Sequence, residues 1–161
     1  MKCYSCKKPG RQARRGAYQM DFGLDEKVVV HDVELSYCPA CGDEAVGIDN
    51  VEGLMDAVTR IVATKQGRLT PKEIAYLRKH LDVSQAVLAK HLGVDPATVS
   101  RWESSMTSQA MGVSAERLLR LMVIHKLEHG DVPPTDHMGG DDNNTPKKKI
   151  ELTERDGKWA A

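Results

Sequence analysis

The sequence predicts an α+β protein with two domains, a small β-rich N-terminal domain and an all-α domain that follows it. Two observations predict this division. All four cysteines precede residue 42 and flank a valine-rich segment, whereas apolar residues from Val51 onward recur at three- and four-residue spacing. We therefore expect domains at residues 1–66 and 67–128, followed by a flexible, largely irregular tail at residues 129–161.

The cysteines form two pairs, Cys3-x-x-Cys6 and Cys38-x-x-Cys41, with residues 7–37 between them. Thiolates are preferred ligands of Zn²⁺ in structural sites, and four of them complete a tetrahedron. The spacing predicts a zinc ribbon in which these four cysteines hold one structural ion per chain. Metal binding can contribute about 10–16 kcal/mol in small zinc modules, enough to decide whether so small a region folds.

Other uses of the cysteines remain open at this point. Two disulfides are disfavoured in a reducing compartment, and a redox Cys-x-x-Cys motif needs a βαβ context that the sequence lacks. An iron–sulfur cluster also accepts four thiolates. His31 could act as an additional ligand, although a histidine on a strand face is the simpler interpretation. A catalytic zinc ion is disfavoured because four cysteines leave no open position.

A strand is predicted over Lys27–Tyr37, and Gly16–Leu24 is a candidate partner strand. Strict alternation places one set of residues on a common face of the first strand: Val29, His31, Val33 and Leu35.

Helix signals begin near residue 50. The first apolar face comprises Val51, Leu54, Met55, Val58, Ile61 and Val62. Asp49 or Asn50 would cap this helix, and Gly67 would end it. Thr70-Pro71-Lys72-Glu73 has the pattern of a capping box. Further caps are expected at the start of each later helix, at Ser84, Asp95 and Ser114, with Val113 and Leu118 as a hydrophobic staple at the last one.

The stretch from Ser84 to Glu103, SQAVLAKHLGVDPATVSRWE, predicts a helix-turn-helix. Ala89 is small enough to allow close approach of the second helix. Gly93 tolerates the positive φ of the turn, and Val99 fills the contact between the helices. Such a unit places its second helix in the major groove of DNA.

The first turn of that second helix would face the bases, and Arg101 would lie one turn further on the same face. An arginine can bind O6 and N7 of guanine together; contact with a phosphate, or exposure to solvent, is the alternative for Arg101. The full set of candidate DNA-reading residues is Gln85, Pro96, Ala97, Thr98, Ser100 and Arg101. Weaker candidates for contacts with the DNA backbone are Arg78, Lys79, Ser84 and Lys90.

The charge distribution agrees with this assignment. The formal net charge is zero, but residues 51–127 carry +4, whereas residues 1–50 carry −1 and residues 128–161 carry −3. This excess is modest, so tight binding would need a dimer or good specific contacts. No apolar run approaches the ~20 residues that span a bilayer, and the N-terminus has no secretory signal. We expect a cytoplasmic protein, associated with the nucleoid when bound to DNA.

The tail has two parts. Residues 130–146 are rich in Pro, Gly, Asp and Asn, which is typical of a disordered linker. The last residues contain an alternating Ile150 and Leu152, the hairpin-turn dipeptide Asp156-Gly157, and Trp159.

Pro71 to Glu103 resembles the Cro/lambda-repressor class of helix-turn-helix domains. The opening Met-Lys-Cys-x-x-Cys and the segment Tyr37-Cys38-x-x-Cys41 resemble a zinc-binding module. In this order, over about residues 1–127, the chain resembles the MqsA-type antitoxins with their YgiT-type zinc finger. The resemblance implies zinc on the four cysteines, a base contact from the arginine of Ser100-Arg101-Trp102-Glu103, and a two-fold homodimer that represses its own operon. It also implies that the zinc domain binds an RNA-cleaving toxin.

One departure from that family concerns the other base-reading position, which is Asn in the member used for comparison and is Ala97 here. The operator sequence therefore cannot be carried over. The first hypothesis is an autorepressing antitoxin of a type II toxin–antitoxin system that binds a palindromic operator. The alternative is a stand-alone zinc-ribbon and helix-turn-helix regulator without a toxin. An enzyme is disfavoured, since the sequence has no nucleophile–base constellation and no catalytic residue is assigned.

Overall fold

Three strands precede five helices in the computed structural model, which describes residues 2–107, 109–135, 153–155 and 158–160. This order confirms the predicted α+β class. The strands are β1 (Gln12–Met20), β2 (Val28–Tyr37) and β3 (Glu44–Gly47). The helices are α1 (Val51–Thr64), α2 (Pro71–Leu81), α3 (Gln85–Leu92), α4 (Pro96–Glu103) and α5 (Val113–His129). Two short strands near the C-terminus, β4 (Thr153–Arg155) and β5 (Lys158–Ala160), complete the described elements.

The N-terminal strands form an antiparallel sheet in the order β1-β2-β3. β2 starts one residue after the predicted strand, so that prediction is confirmed. β1 starts four residues before the predicted partner strand and ends at Met20, because Phe22 and Leu24 leave the sheet to pack on the helices. β3 was not predicted, since four residues directly after a cysteine pair carry too weak a strand signal.

The predicted alternation along β2 is wrong because the strand contains a bulge. Gly16 pairs with Val33 but Tyr18 pairs with Val30, so two residues of β2 oppose one residue of β1. Asp32 at the bulge has a φ of 58°. An extra residue moves the following side chains to the other face. Val28, Val30, Val33 and Leu35 therefore share one face, on which Val33 is buried and the other three are half-buried, while Val29 and His31 are exposed.

Helix α1 begins at the predicted cap and packs with the later helices. The Asn50 side chain accepts a hydrogen bond from the backbone N–H of Gly53. Of the expected apolar face, Val58 and Val62 are buried in the core, whereas Ile61 is 68% exposed. The expected boundary at residue 66 thus follows a helix whose buried side chains lie in the core of the helical part.

Arg120 of α5 fixes the connection from α1 to α2. Its guanidinium donates to the carbonyl oxygens of Ala63, Lys65 and Gly67 at 2.7–3.0 Å. It also pairs with the buried Glu116 at 2.8 Å. The last carbonyls of a helix have no partner within the helix, so Arg120 satisfies the end of α1 and the linker after it.

The caps predicted for α2, α3 and α4 are confirmed. Thr70 and Glu73 form the complete capping box of α2. Ser84 accepts from the backbone of Val87 at the start of α3, and Asp95 accepts from the backbone of Ala97 at the start of α4. Local hydrogen bonds over two or three residues thus set the ends of these helices.

The cap predicted for α5 is wrong. The helix begins at Val113, its N-cap is Gly112, and no side chain caps it. Because Met111 is 3% exposed and its carbonyl accepts from Arg68, tertiary contacts hold the chain just before this helix. Leu119, Met122 and Val123 of α5 are fully buried in the core.

The tip of the β1–β2 hairpin contacts the helices. Phe22, Leu24 and Val28 pack against the helical core. Asp25 forms an ion pair with Lys72 at 3.2 Å, and hydrogen bonds from Thr70 and Lys72 lower the pKa of Asp25. The far end of the sheet, which carries the cysteines, lies one strand length from this contact.

Near the C-terminus, β4 and β5 pair antiparallel with Arg155 opposite Lys158. This pairing agrees with the hairpin signal in the sequence. The turn residues Asp156 and Gly157, the alternating Ile150 and Leu152, and residues 136–146 of the expected linker lie outside the described residues.

Candidate metal centre and nucleic-acid interface

The four cysteines come together at one end of the sheet. Their Sγ atoms all lie within 4.8 Å of one another, with Cys3 and Cys41 separated by 3.7 Å and Cys6 and Cys38 by 3.6 Å. A tetrahedral zinc ion with Zn–S bonds of about 2.3 Å requires sulfur–sulfur separations of about 3.8 Å. The cluster therefore fits a tetrahedral ion with four thiolate ligands.

The geometry of the cluster bears on three of the alternatives that the sequence left open: disulfides, an additional ligand and a catalytic ion. A disulfide needs sulfur atoms about 2.05 Å apart, and all four cysteines are free. His31 is exposed on the sheet and is not part of the cluster. Four sulfur ligands around one point leave no open coordination position, which favours a structural role over a catalytic one.

Two tight loops present the sulfur atoms. In the first, Cys3 N–H donates to the Lys8 carbonyl and Lys7 N–H donates to the Cys3 carbonyl, at 2.9 and 3.0 Å. In the second, Gly42 N–H donates to the Cys38 carbonyl at 2.8 Å. A backbone hydrogen bond from Cys6 lowers the pKa of the Cys3 thiol to about 6 against the effect of burial. These loops thus favour the thiolate form at Cys3.

The side chain of Arg11 is buried next to the cysteine cluster. It is 5% exposed, and it donates to Asp43 at 2.6 Å, to Ser36 at 2.8 Å and to Cys3 Sγ at 3.7 Å. The hydrogen bond from Arg11 lowers the pKa of Asp43, and Asp43 in turn raises the pKa of Arg11. Such a cation beside a thiolate offsets the negative charge of a four-cysteine metal site. Sequence reasoning missed both residues, because their contacts span the whole hairpin.

Helix α4 is held by its inner face. Val99 is fully buried and Trp102 is 5% exposed. Ala89 of α3 is 1% exposed, and Gly93 between the helices has the positive φ that the turn requires. The three positions on which the helix-turn-helix prediction depended therefore lie where that motif needs them.

The outer face of α4 carries most of the candidate base-reading residues. Pro96, Ala97, Ser100 and Arg101 are exposed, and Thr98 is half-buried. Within the part of the chain that the structure describes, the Arg101 side chain makes one long contact, from Nη1 to Gln109 Oε1 at 3.4 Å. The guanidinium is accordingly available to an outside ligand, and the base-reading roles of this face stay predictions.

Two other candidates are engaged inside the domain. Arg78 is 14% exposed and donates to both carboxylate oxygens of Glu103, at 2.6 and 3.0 Å, and to the Val83 carbonyl. Gln85 donates to the same carboxylate at 2.8 Å. This triad joins α2, α3 and α4, so we assign Arg78 and Gln85 a positioning role and leave contacts of either with DNA as predictions.

The weaker candidates Lys79, Ser84 and Lys90 are all exposed. The Ser84 hydroxyl also caps α3. Sequence reasoning did not single out the loop after α4, where Ser105, Met106, Thr107 and Gln109 are exposed beside Arg101. Serine, threonine and glutamine side chains are common phosphate ligands, but a segment without periodicity gave no signal for this position.

No helix among the described residues is long and apolar enough to cross a membrane.

Proteins that join a four-cysteine ribbon to a helix-turn-helix unit in one chain form a distinct class, and both parts of this chain have the corresponding geometry. The family model for MqsA, the antitoxin component of a bacterial toxin–antitoxin system, matches residues 1–128. The chain belongs to this family, which confirms the resemblance. No curated protein and no solved structure matches it.

Proposed function

We propose that this antitoxin is a sequence-specific DNA-binding repressor of its own operon, with a zinc-bearing N-terminal domain that binds the partner toxin. The observation that carries the DNA-binding role is the exposed Arg101 on the outer face of a helix whose inner face is locked by Val99 and Trp102. The proposed role is regulatory and not enzymatic, and it is carried out in the cytoplasm.

In the proposed complex, α4 lies in the major groove and Arg101 binds a guanine. Pro96, Ala97, Thr98 and Ser100 approach neighbouring bases from the same face. The methyl groups of Ala97 and Thr98 suit contact with a thymine methyl. Lys79 and Lys90 supply phosphate contacts, and Ser84 and the loop after α4 add neutral donors.

We propose zinc as the resident ion of the four-cysteine cluster. The sulfur–sulfur distances near 3.7 Å and the all-thiolate ligand set support it. Bound zinc would fix the two cysteine loops at the end of the sheet and supply no reactive position. Elemental analysis of the purified protein should give one zinc per chain.

We propose that the N-terminal sheet binds an RNA-cleaving toxin. A groove of about 520 Å³ on the sheet supports this role, and its lining includes Tyr18, Tyr37, Leu35 and Val46. Tyr18 and Tyr37 are 43% and 45% exposed. Exposed aromatic residues are enriched at protein-binding surfaces. Pull-down from the native host with mass spectrometry should recover a small ribonuclease in stoichiometric amount.

We propose a two-fold homodimer that matches a palindromic operator. The exposed apolar residues Val113 and Leu121 on α5, at 50% and 65% exposure, support an interface on this helix. Sedimentation at micromolar concentration tests it, and a monomer there would show that α5 packs only within its own domain.

Arg101→Ala tests the DNA-binding role. Loss of a bidentate guanine contact costs ~1–3 kcal/mol per half-site, so a dimer should lose at least roughly 30-fold in operator affinity. Fluorescence anisotropy with the promoter fragment measures this, and circular dichroism checks that the fold is intact. Arg60→Ala, which removes an exposed arginine from α1, is the matched control. Unchanged affinity for Arg101→Ala would reject its role.

A further inference from the structure

The loop around the first cysteine pair, residues 2–10, has an unusual surface, and we call it the first knuckle. Residues 2–20 contain six cationic side chains and no carboxylate. Two of these cations, Arg11 and Arg15, are paired with Asp43 and Asp32. The three lysines of the knuckle are exposed, and none of them pairs with a carboxylate in the part of the chain that the structure describes: Lys2, Lys7 and Lys8.

Tyr4 lies between these lysines and is 83% exposed. The other tyrosines of the chain are 43%, 45% and 9% exposed. The backbone that carries Tyr4 is fixed by the bridge between Lys2 and Pro9, by the two hydrogen bonds of the loop, and by Cys3 and Cys6 on either side. A rigid loop therefore displays an aromatic ring to solvent among three cations.

This combination indicates the chemistry of a ligand. Lysines attract phosphates, and an exposed ring offers a flat apolar surface on which an unpaired base can stack. The bases of a duplex are already stacked on each other and would leave Tyr4 without a partner. An acidic protein surface would use the lysines and could also pack on the ring, so the test given below includes the outcome that identifies a protein partner.

We propose that the first knuckle is a binding site for single-stranded nucleic acid, with Tyr4 as the stacking platform and Lys2, Lys7 and Lys8 as phosphate contacts. This site is separate from α4. It lies at the opposite end of β1 from the hairpin tip that packs on the helices. Nine residues of extended strand separate the two ends by about 30 Å.

A simpler role for these lysines is to neutralise the negative charge of the cysteine thiolates. That role predicts a different experimental result from the binding of nucleic acid. Arg11 already donates to Cys3 Sγ from within the domain. Lysines that only balanced the cysteine cluster would affect metal retention and would make no use of Tyr4. Dependence of binding on the aromatic ring thus separates the two roles.

The test uses the full-length, metal-loaded chain and fluorescein-labelled 12-residue oligo(U) and oligo(dT), with anisotropy measured at several salt concentrations. Tyr4→Ala should weaken binding by about 5- to 150-fold, which corresponds to the loss of one stacked base. Tyr4→Trp should retain binding. Lys7→Glu combined with Lys8→Glu should reduce the slope of log affinity against log salt by about 1.4, since each phosphate contact contributes about 0.7.

Matched controls lie within the same domain. Tyr18→Ala removes a less exposed tyrosine from β1, and Lys27→Glu reverses an exposed lysine outside the knuckle; both should bind like the wild type. Arg101→Ala should also retain oligonucleotide binding, which keeps this site distinguishable from the operator-binding face. Zinc content and circular dichroism of each variant show that the loop is still folded.

Three outcomes would overturn the proposal. The first is the absence of oligonucleotide binding by the wild type. The second is binding that depends on Lys7 and Lys8 but is unchanged in Tyr4→Ala, or that is equally tight for duplex, because either result indicates general electrostatic attraction. The third is loss of toxin binding in the knuckle variants with oligonucleotide binding unchanged, which would identify the knuckle as a protein-docking surface.

Discussion

Glu103 holds three helices of the helix-turn-helix domain in register, and its substitution gives a sharp prediction. Glu103 is the last residue of α4, and its side chain is 7% exposed. It accepts two hydrogen bonds from Arg78 of α2 and one from Gln85 of α3. Glu103→Gln keeps the size of the side chain, removes its charge, and replaces one acceptor with an NH₂ group that faces another donor.

The size of the expected loss of stability follows from the burial of the Arg78–Glu103 ion pair. Removing one partner of a buried ion pair costs about 3–5 kcal/mol, because the remaining charge is left without compensation. Arg78 would retain its bond to the Val83 carbonyl at 3.0 Å, so we expect the lower end, about 3 kcal/mol. For a domain of this size, about 1 kcal/mol shifts the midpoint of thermal unfolding by about 4–8 °C. Glu103→Gln should therefore lower Tm by about 12 °C or more.

Thermal unfolding followed by circular dichroism at the helical band measures this shift. The matched control is Asp32→Asn, which removes the same charge from an ion pair whose side chains are 65% and 78% exposed. Exposed pairs contribute little to stability, and Asn tolerates the positive φ at position 32. A Tm for Glu103→Gln that lies as close to the wild type as that of Asp32→Asn would refute the structural role of the Arg78–Glu103 pair.

Two further predictions concern the metal and pH. Cys38→Ser should abolish stoichiometric metal binding and broaden or shift the amide resonances of the β1–β3 sheet, while the signals of α2–α5 stay dispersed; intact sheet signals without metal would contradict this. Burial lowers the pKa of His80 below its ordinary value of 6.5, with Lys126 acting in the same direction and Asp56 opposing it. The unfolded chain then binds the proton more readily, so stability should fall as the pH drops through about 6.5. Denaturant unfolding at about pH 7.5 and 5.5 should show this loss, and His80→Gln should reduce it.

Much of the helical part could be predicted from the sequence because its signals are local. The side chains of Thr70, Ser84 and Asp95 each accept a hydrogen bond from a backbone N–H two or three residues later. Each helix start is therefore determined by residues that are close together in the sequence. The cysteine cluster was predictable for a related reason, since each Cys-x-x-Cys pair forms one tight loop. The pairing of the two loops then follows from the four ligands that one tetrahedral ion needs.

The errors arose where distant contacts decide the structure. The bulge at Asp32 reverses the face of the first half of β2, and Arg15 stabilises it from the neighbouring strand with bonds to the Asp32 side chain and carbonyl. The N-cap of α5 is Gly112 and not the predicted Ser114, because Arg68 holds the Met111 carbonyl. From the sequence, Arg78 was predicted to be an exposed cation that contacts the DNA backbone. It is largely buried instead because it pairs with Glu103, which lies 25 residues later in the chain.

The distribution of buried residues implies that the two parts of the chain depend on the metal to different extents. Within residues 2–50, the apolar residues that the structure buries are Cys3, Val33 and Cys38, and two of these are candidate metal ligands. The helical core, in contrast, contains sixteen buried residues among those that the structure describes, from α1 to α5 and their connections. A sheet with one buried aliphatic side chain cannot offset its conformational entropy by burial alone, so we expect an ion bound by the four cysteines to supply most of its stability. Loss of the metal should therefore disable the sheet groove and the first knuckle together, while the surface formed by α4, which rests on Val99, Trp102 and the Glu103 triad, remains in place.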